Sequence, residues 1–262
     1  MNRIEEKLAL LKKKNEKAFI TYMTAGLPDM DTAKEIILAQ AEAGTDIIEL
    51  GVPFSDPAAD GPVIQAASYK SILKGTNIRN VFDLVEEVRK DCQIPIVFMM
   101  YYNTVLHYGV ERFVDKCAQV GVDGLIIPDL PFEEQGELNA FLGKENSPVI
   151  IQLVAPVSAG RIPMILEHAR GFVYCVSSMG VTGQSSGFHK NVVSFLKEVK
   201  ENSKIPVMMG FGIKTASDVE EVKETIDGAI VGSHFIQLME DSNYDLNTVK
   251  TYCETFKKEI NA

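Results

Sequence analysis

A chain of 262 residues has room for one large α/β domain or at most two small ones. Its 46% apolar and 24% charged residues suit a globular protein rather than a disordered or fibrous one. The net charge of −10, with no basic run beyond Lys12–Lys14, argues against nucleic acid and anionic membrane surfaces as partners.

The opening MNRIEEKLALLKKKNEKA sets Ile4, Leu8 and Leu11 on one face of a helix. It has no apolar leader core, and no later run is long enough to cross a membrane, so a cytoplasmic protein is expected. The first predicted strand is FITYMT (19–24), followed by AGLPD and the helical DTAKEIILAQAEAG. DIIELG (46–51) is the second, and it runs into the acidic, proline-rich VPFSDPAADG and an extra helical stretch around PVIQAASYKSILKG. Six more follow: IPIVFMMYY (94–102), DGLIIPDL (123–130), PVIIQLV (148–154), GFVYCVS (171–177), IPVMMG (205–210) and DGAIVG (227–232).

Near-continuous apolarity in these eight runs suits parallel strands buried on both faces. The connections, GVERFVDKCAQVG for example, are long enough for crossover helices. Eight βα units without a linker predict one α/β domain over residues 1–262, a (β/α)8 TIM barrel with an additional N-terminal helix. A doubly wound sheet would put a glycine-rich turn where AGLPD stands. AGTD, VGVD and TIDG share one punctuation, an aspartate at the start of a strand. Cys92, Cys117, Cys175 and Cys253 are far apart and are expected to be reduced thiols.

Barrel chemistry gathers at the C-terminal ends of the strands. Alternation gives Ile47, Glu49 and Gly51 one face of the second strand and Asp46, Ile48 and Leu50 the other. Glu49 can therefore point into the mouth, where no predicted strand supplies a Lys or Arg to pair with it. An unpaired buried carboxylate is costly, so a catalytic use is the expectation, with Asp60 in the following loop as its counterpart. A second group of small residues lies in GVTG (180–183), GFGI (210–213) and VGSH (231–234). Such residues let backbone N–H groups and a helix N-terminus approach an anion, as in barrel phosphate sites.

ELGVPFSDPAADGPVIQ resembles the signature of the tryptophan synthase alpha chain family, and GVTG, GFGI and AIVGS are similar to that family's later landmarks in the same order. AFITYMTAGLPD, MMYYN and IPDLPFEE also match its barrel segments. The resemblance implies cleavage of indole-3-glycerol phosphate to indole and glyceraldehyde 3-phosphate in tryptophan biosynthesis. It implies that Glu49 and Asp60 are the catalytic carboxylates, with Tyr174 beside the reacting atoms. Gly183, Gly212, Gly232 and Ser233 would hold the phosphate, and Tyr22, Met99, Ile126, Phe211 and Ile230 would line the indole pocket. It further implies no cofactor in this chain and a partner beta chain that uses pyridoxal phosphate, in an alpha2beta2 heterotetramer. GVTGQSSGFH (180–189) has the composition of a lid, from which the Thr182 hydroxyl would reach Asp60.

The expected carbon–carbon cleavage needs an electron sink. Schiff-base aldolases use a strand lysine and metal aldolases use several His or carboxylate ligands, but no predicted strand here contains Lys or His. The substrate's own indole ring, protonated at C3, is then the sink. A triosephosphate-type isomerase would need a neutral imidazole at the strand ends, and none is placed there. The alternative from another class is a subunit that mainly activates its partner and has weak catalysis of its own.

Overall fold

The computed structural model describes residues 2–176, 190–210 and 212–262. Its single sheet is parallel throughout and contains β1 (Ala18–Thr24), β2 (Ile47–Gly51), β3 (Ile96–Met99), β4 (Gly124–Ile126), β5 (Val149–Ile150), β6 (Gln152–Val154), β7 (Val173–Val176), β8 (Val207–Gly210) and β9 (Gly228–Val231). The spatial order is β5-β4-β3-β2-β1-β9-β8-β7-β6. Its two ends, β5 and β6, are consecutive in the chain with only Ile151 between them, so the sheet closes on itself. The expected fifth strand, 148–154, is thus one stave in two pieces: its first part pairs with β4 and its second with β7. Sheared barrel strands meet their two neighbours at different heights, which accounts for nine segments where eight runs are legible.

Helices cover the outside. They are α1 (Arg3–Lys14), α2 (Met30–Glu42), α3 (Pro62–Leu73), α4 (Ile78–Arg89), α5 (Tyr102–Tyr108), α6 (Val110–Val120), α7 (Gly136–Asn139), α8 (Ile162–Leu166), α9 (Lys190–Asn202), α10 (Ser233–Asp241) and α11 (Leu246–Ile260). The third predicted run reaches to residue 102, yet β3 stops at Met99 and Tyr102 opens α5, its backbone N–H donating to Asp129 Oδ1 at 2.9 Å. Among the described residues no helix is long and apolar enough to cross a membrane.

Alternation along the strands sorts the core into two clusters. Ile48, Leu50, Ile96 and Phe98 face outward into the layer beneath the helices. Ile20, Ile47, Val97, Ile126, Met208 and Ile230 face inward and fill the barrel. Helix α1 joins this inner cluster through Ile4, Leu8 and Leu11, the expected apolar face, and closes the end where the strands begin.

The recurring aspartates belong to that closed end. Asp46, Asp123 and Asp227 each stand just before a strand and accept a backbone N–H from the neighbouring one, Phe19 at 2.9 Å, Ile96 at 2.9 Å and Val207 at 2.7 Å. Each also holds a cation: Lys257 at 2.7 Å, Arg89 at 2.8 Å and Lys200 at 2.6 Å respectively. With strand starts pinned in this way, the opposite end is left for chemistry.

Candidate active site

Inward-facing positions on β2 run Ile47, Glu49, Gly51, so the side chain of Glu49 enters the mouth from the strand's C-terminal half. It is 4% exposed, and its Oε2 is buried with no hydrogen-bond partner among the described residues. Burial, and then the nearby charge of Asp60, push its pKa up to about 8. The carboxyl therefore keeps its proton at neutral pH.

Asp60 lies at the end of the loop after β2 and is half-buried. Proline at 53 and 57 stiffens that loop, Asp60 N donates to Pro57 O at 3.0 Å, and the loop's start is tied down by Ser68 Oγ, which accepts Phe54 N at 2.7 Å. Burial pushes the pKa of Asp60 up to about 6, and its interaction with the Tyr101 hydroxyl holds it lower than burial alone would. The two carboxyls, similar in solution, are thus separated by their surroundings, with the more enclosed one holding its proton to higher pH.

Tyr101 is a residue the sequence reading missed. Its hydroxyl accepts Ala59 N at 2.9 Å and its ring stacks on Phe54 with centroids 5.0 Å apart. A signal was present: Tyr101 follows Met99 by two residues, which puts it on the same inward face just past the end of β3.

Two tyrosines wall the mouth by a shared device. Tyr22 on β1 pairs in register with Glu49, and Tyr174 on β7 pairs with Met208. Each ring leans over the last residue of the following strand, which is glycine in both cases. A Cβ at Gly51 would come 2.1 Å from Tyr22 Oη, and one at Gly210 would come 2.5 Å from Tyr174 Oη. Glycine at these two positions leaves room for the phenols to lie there. Burial raises both phenol pKa values, and neighbouring carboxylates add to the rise, so both remain neutral hydroxyls.

Below them, Ile126 and Ile230 form the apolar floor, with Met99 packed half-buried against it. Gly212, at φ +73, follows β8, and Gly232 and Ser233 stand where β9 enters α10. The first turn of α10 has Gly232 as its cap and no side chain capping it, so its leading N–H groups face the rim. Glu49, Asp60, Tyr22, Tyr174, Met99, Ile126 and Ile230 all come from the strand ends or from the loop after β2, and Gly212, Gly232 and Ser233 border the same end. Thr182, Gly183 and Phe211 lie outside the described residues. Among the described residues no strand contains a lysine or a histidine; His107, His168 and His234 stand on or beside helices.

The sequence matches the tryptophan synthase alpha chain family over residues 8–261. It is 64% identical to the tryptophan synthase alpha chain of Lachnospira eligens, with 100% of each chain covered, and 44% identical to that of Alkaliphilus metalliredigens, with 98% and 97% covered. Among solved structures, tryptophan synthase subunit alpha from Legionella pneumophila superposes with a TM-score of 0.90 at 32% identity, covering 99% and 98% of the two chains. Tryptophan synthase from M. tuberculosis, in an open form, superposes with a TM-score of 0.87 at 31% identity, covering 99% and 98%.

Proposed function

The chain belongs to the tryptophan synthase alpha chain family, which cleaves indole-3-glycerol phosphate, and we propose that Glu49 and Asp60 perform that cleavage in it. The activity is that of a carbon–carbon lyase. One observation carries the assignment of roles: Glu49 is 4% exposed with a partnerless Oε2 while Asp60 is only half-buried beside the Tyr101 hydroxyl, so burial pushes the Glu49 pKa up to about 8 and that of Asp60 only to about 6. Between these values a protonated acid faces an ionised carboxylate, the pair of states the reaction uses.

Glu49 gives its proton to C3 of the indole, making the ring an electron sink. Asp60 accepts the ring N–H and stabilises the positive charge that develops there. The Glu49 carboxylate next takes the proton of the glycerol hydroxyl beside C3. The carbon–carbon bond breaks, its electron pair restores the aromatic ring, and the hydroxyl carbon becomes the aldehyde of glyceraldehyde 3-phosphate. Glu49 ends protonated, as it began.

Tyr174 and Tyr22 flank the ring, Met99, Ile126, Phe211 and Ile230 complete its apolar surroundings, and Gly183, Gly212, Gly232 and Ser233 offer N–H groups to the phosphate, with the positive end of α10 behind them. Thr182 orients Asp60 when the substrate is enclosed. The partner is a pyridoxal-phosphate-dependent beta chain, in an alpha2beta2 assembly in the cytoplasm. It takes up the released indole and meets this chain at the proline-rich loop after β2. The alpha chain itself needs no cofactor for the steps above.

The test is indole release from indole-3-glycerol phosphate by the purified chain, with and without the beta chain. Parent protein is expected to release indole, and Glu49→Gln is expected to bind substrate and release none. A Glu49→Gln rate above about a tenth of the parent's would assign the proton transfers to another group.

A further inference from the structure

The closed end of the barrel carries a cavity of about 470 Å³ between α1 and the turn that leads into β8. It lies at the opposite end from Glu49 and Asp60. Leu8 and Leu11 of α1 and Ile205 and Pro206 ahead of β8 give it an apolar wall. Its size falls within the range of small-molecule sites, roughly 300–1,000 Å³.

The charges around this wall do not balance. Glu5, Glu16 and Asp227 face the cavity: Glu5 pairs with Arg170 at 3.0 Å and Asp227 with Lys200 at 2.6 Å, while Glu16 lies 3.8 Å from Lys257, which is held more closely by Asp46. Lys12, Lys17 and Lys204 also line it, and among the described residues none of the three is paired with a carboxylate. Lys17 donates to the Ile226 carbonyl at 2.8 Å, which leaves its charge uncompensated. Four lysines against three carboxylates line the cavity, a local surplus of positive charge in a chain of net charge −10. It also adjoins an apolar wall.

We infer that this cavity binds a small amphiphilic anion, an aromatic carboxylate or sulfonate whose ring lies on Leu8, Leu11 and Ile205 and whose charge meets Lys12 and Lys204. A bare inorganic anion would leave the wall in water, and an uncharged aromatic would draw nothing from the exposed Lys12 and Lys204 at its edge. An occupant bridges α1 and the turn before β8, and so ties the helix that plugs the barrel to the barrel wall. Binding to the folded state alone then raises thermal stability by mass action.

The probe is 8-anilino-1-naphthalenesulfonate, followed by its fluorescence on the full chain with the mouth filled by saturating indole and glycerol 3-phosphate. One molecule is expected to bind per chain and to raise Tm. The Lys12→Gln/Lys204→Gln double variant should bind it at least about tenfold more weakly, equivalent to ~1.4 kcal/mol, with indole release unchanged. Ala9→Trp, at an exposed position of α1 lining the cavity, should block the space without altering the charges. Parent-like binding by either variant would overturn the inference, as would displacement of the probe by the mouth ligands. Equal competition by inorganic phosphate would make this a simple anion site and overturn the amphiphile assignment.

Discussion

The Tyr101 hydroxyl accepts the backbone N–H of Ala59 at 2.9 Å, fastening the residue before Asp60 to the end of β3. The same hydroxyl holds the pKa of Asp60 down against burial. Tyr101→Phe keeps the stack on Phe54 and loses both effects. With one hydrogen bond worth about 1 kcal/mol, kcat is expected to fall roughly fivefold to tenfold. The carboxyl is then less acidic, so the acid limb of the pH–rate profile should move to higher pH. An unmoved limb would show that Tyr101 positions the loop without tuning Asp60.

The pH–rate profile of the parent should be bell-shaped. Activity needs Asp60 ionised and Glu49 protonated, so the rate rises through about pH 6 and falls through about pH 8. Asp60→Asn should lower kcat by roughly 10²–10³ and flatten the acid limb. A change confined to KM would make Asp60 a binding residue.

Burial of Glu49 has a stability consequence of definite sign. Its folded pKa, about 8, stands above its ordinary value of 4.5, so between these values the folded chain binds more protons than the unfolded chain. Stability is therefore lost as pH rises from about 4.5 to about 8. Glu49→Gln carries no such charge, and its stability relative to the parent should increase by roughly 2–4 kcal/mol from pH 5 to pH 9 in urea titrations. A difference that stays constant with pH would mean that Glu49 is not desolvated.

At the phosphate rim, Gly232 is the cleaner probe. Among the described residues a Cβ there meets only Tyr22 Cβ, at 3.7 Å, whereas Gly212 has φ +73 and would be strained by any side chain. Gly232→Val should fold normally and raise the KM for indole-3-glycerol phosphate at least about tenfold, with indole affinity changed less than about twofold. Equal losses for both ligands would remove the phosphate assignment.

The three strand-start aspartates should differ in their contribution to stability. Asp123 pairs with an Arg89 side chain that is 9% exposed, while Asp227 pairs with a Lys200 side chain that is 41% exposed. Asp123→Ala strands a buried guanidinium and should cost about 3–5 kcal/mol. Asp227→Ala should cost only about 1–2 kcal/mol, mostly the lost bond from Val207 N. Urea midpoints of the two variants measure both, and equal losses would contradict this account.

The sequence by itself determined which strands face both layers, that Glu49 points into the barrel and that α1 buries Ile4, Leu8 and Leu11. These follow from periodicity, and a period of two or of 3.6 residues is a local property of the chain. Tertiary structure decided the rest. Nothing within 48–65 shows that Asp60 is held by Tyr101, because that contact spans 41 residues and depends on where two strand ends meet. Likewise, the sequence shows Gly51 only as an inward strand position and Gly210 only as one of the small residues at the rim, and the register shows that they make room for the rings of Tyr22 and Tyr174. The different proton affinities of Glu49 and Asp60 arise in the same way. Desolvation depends on everything packed around a group, and the chain assembles those surroundings only when the barrel closes.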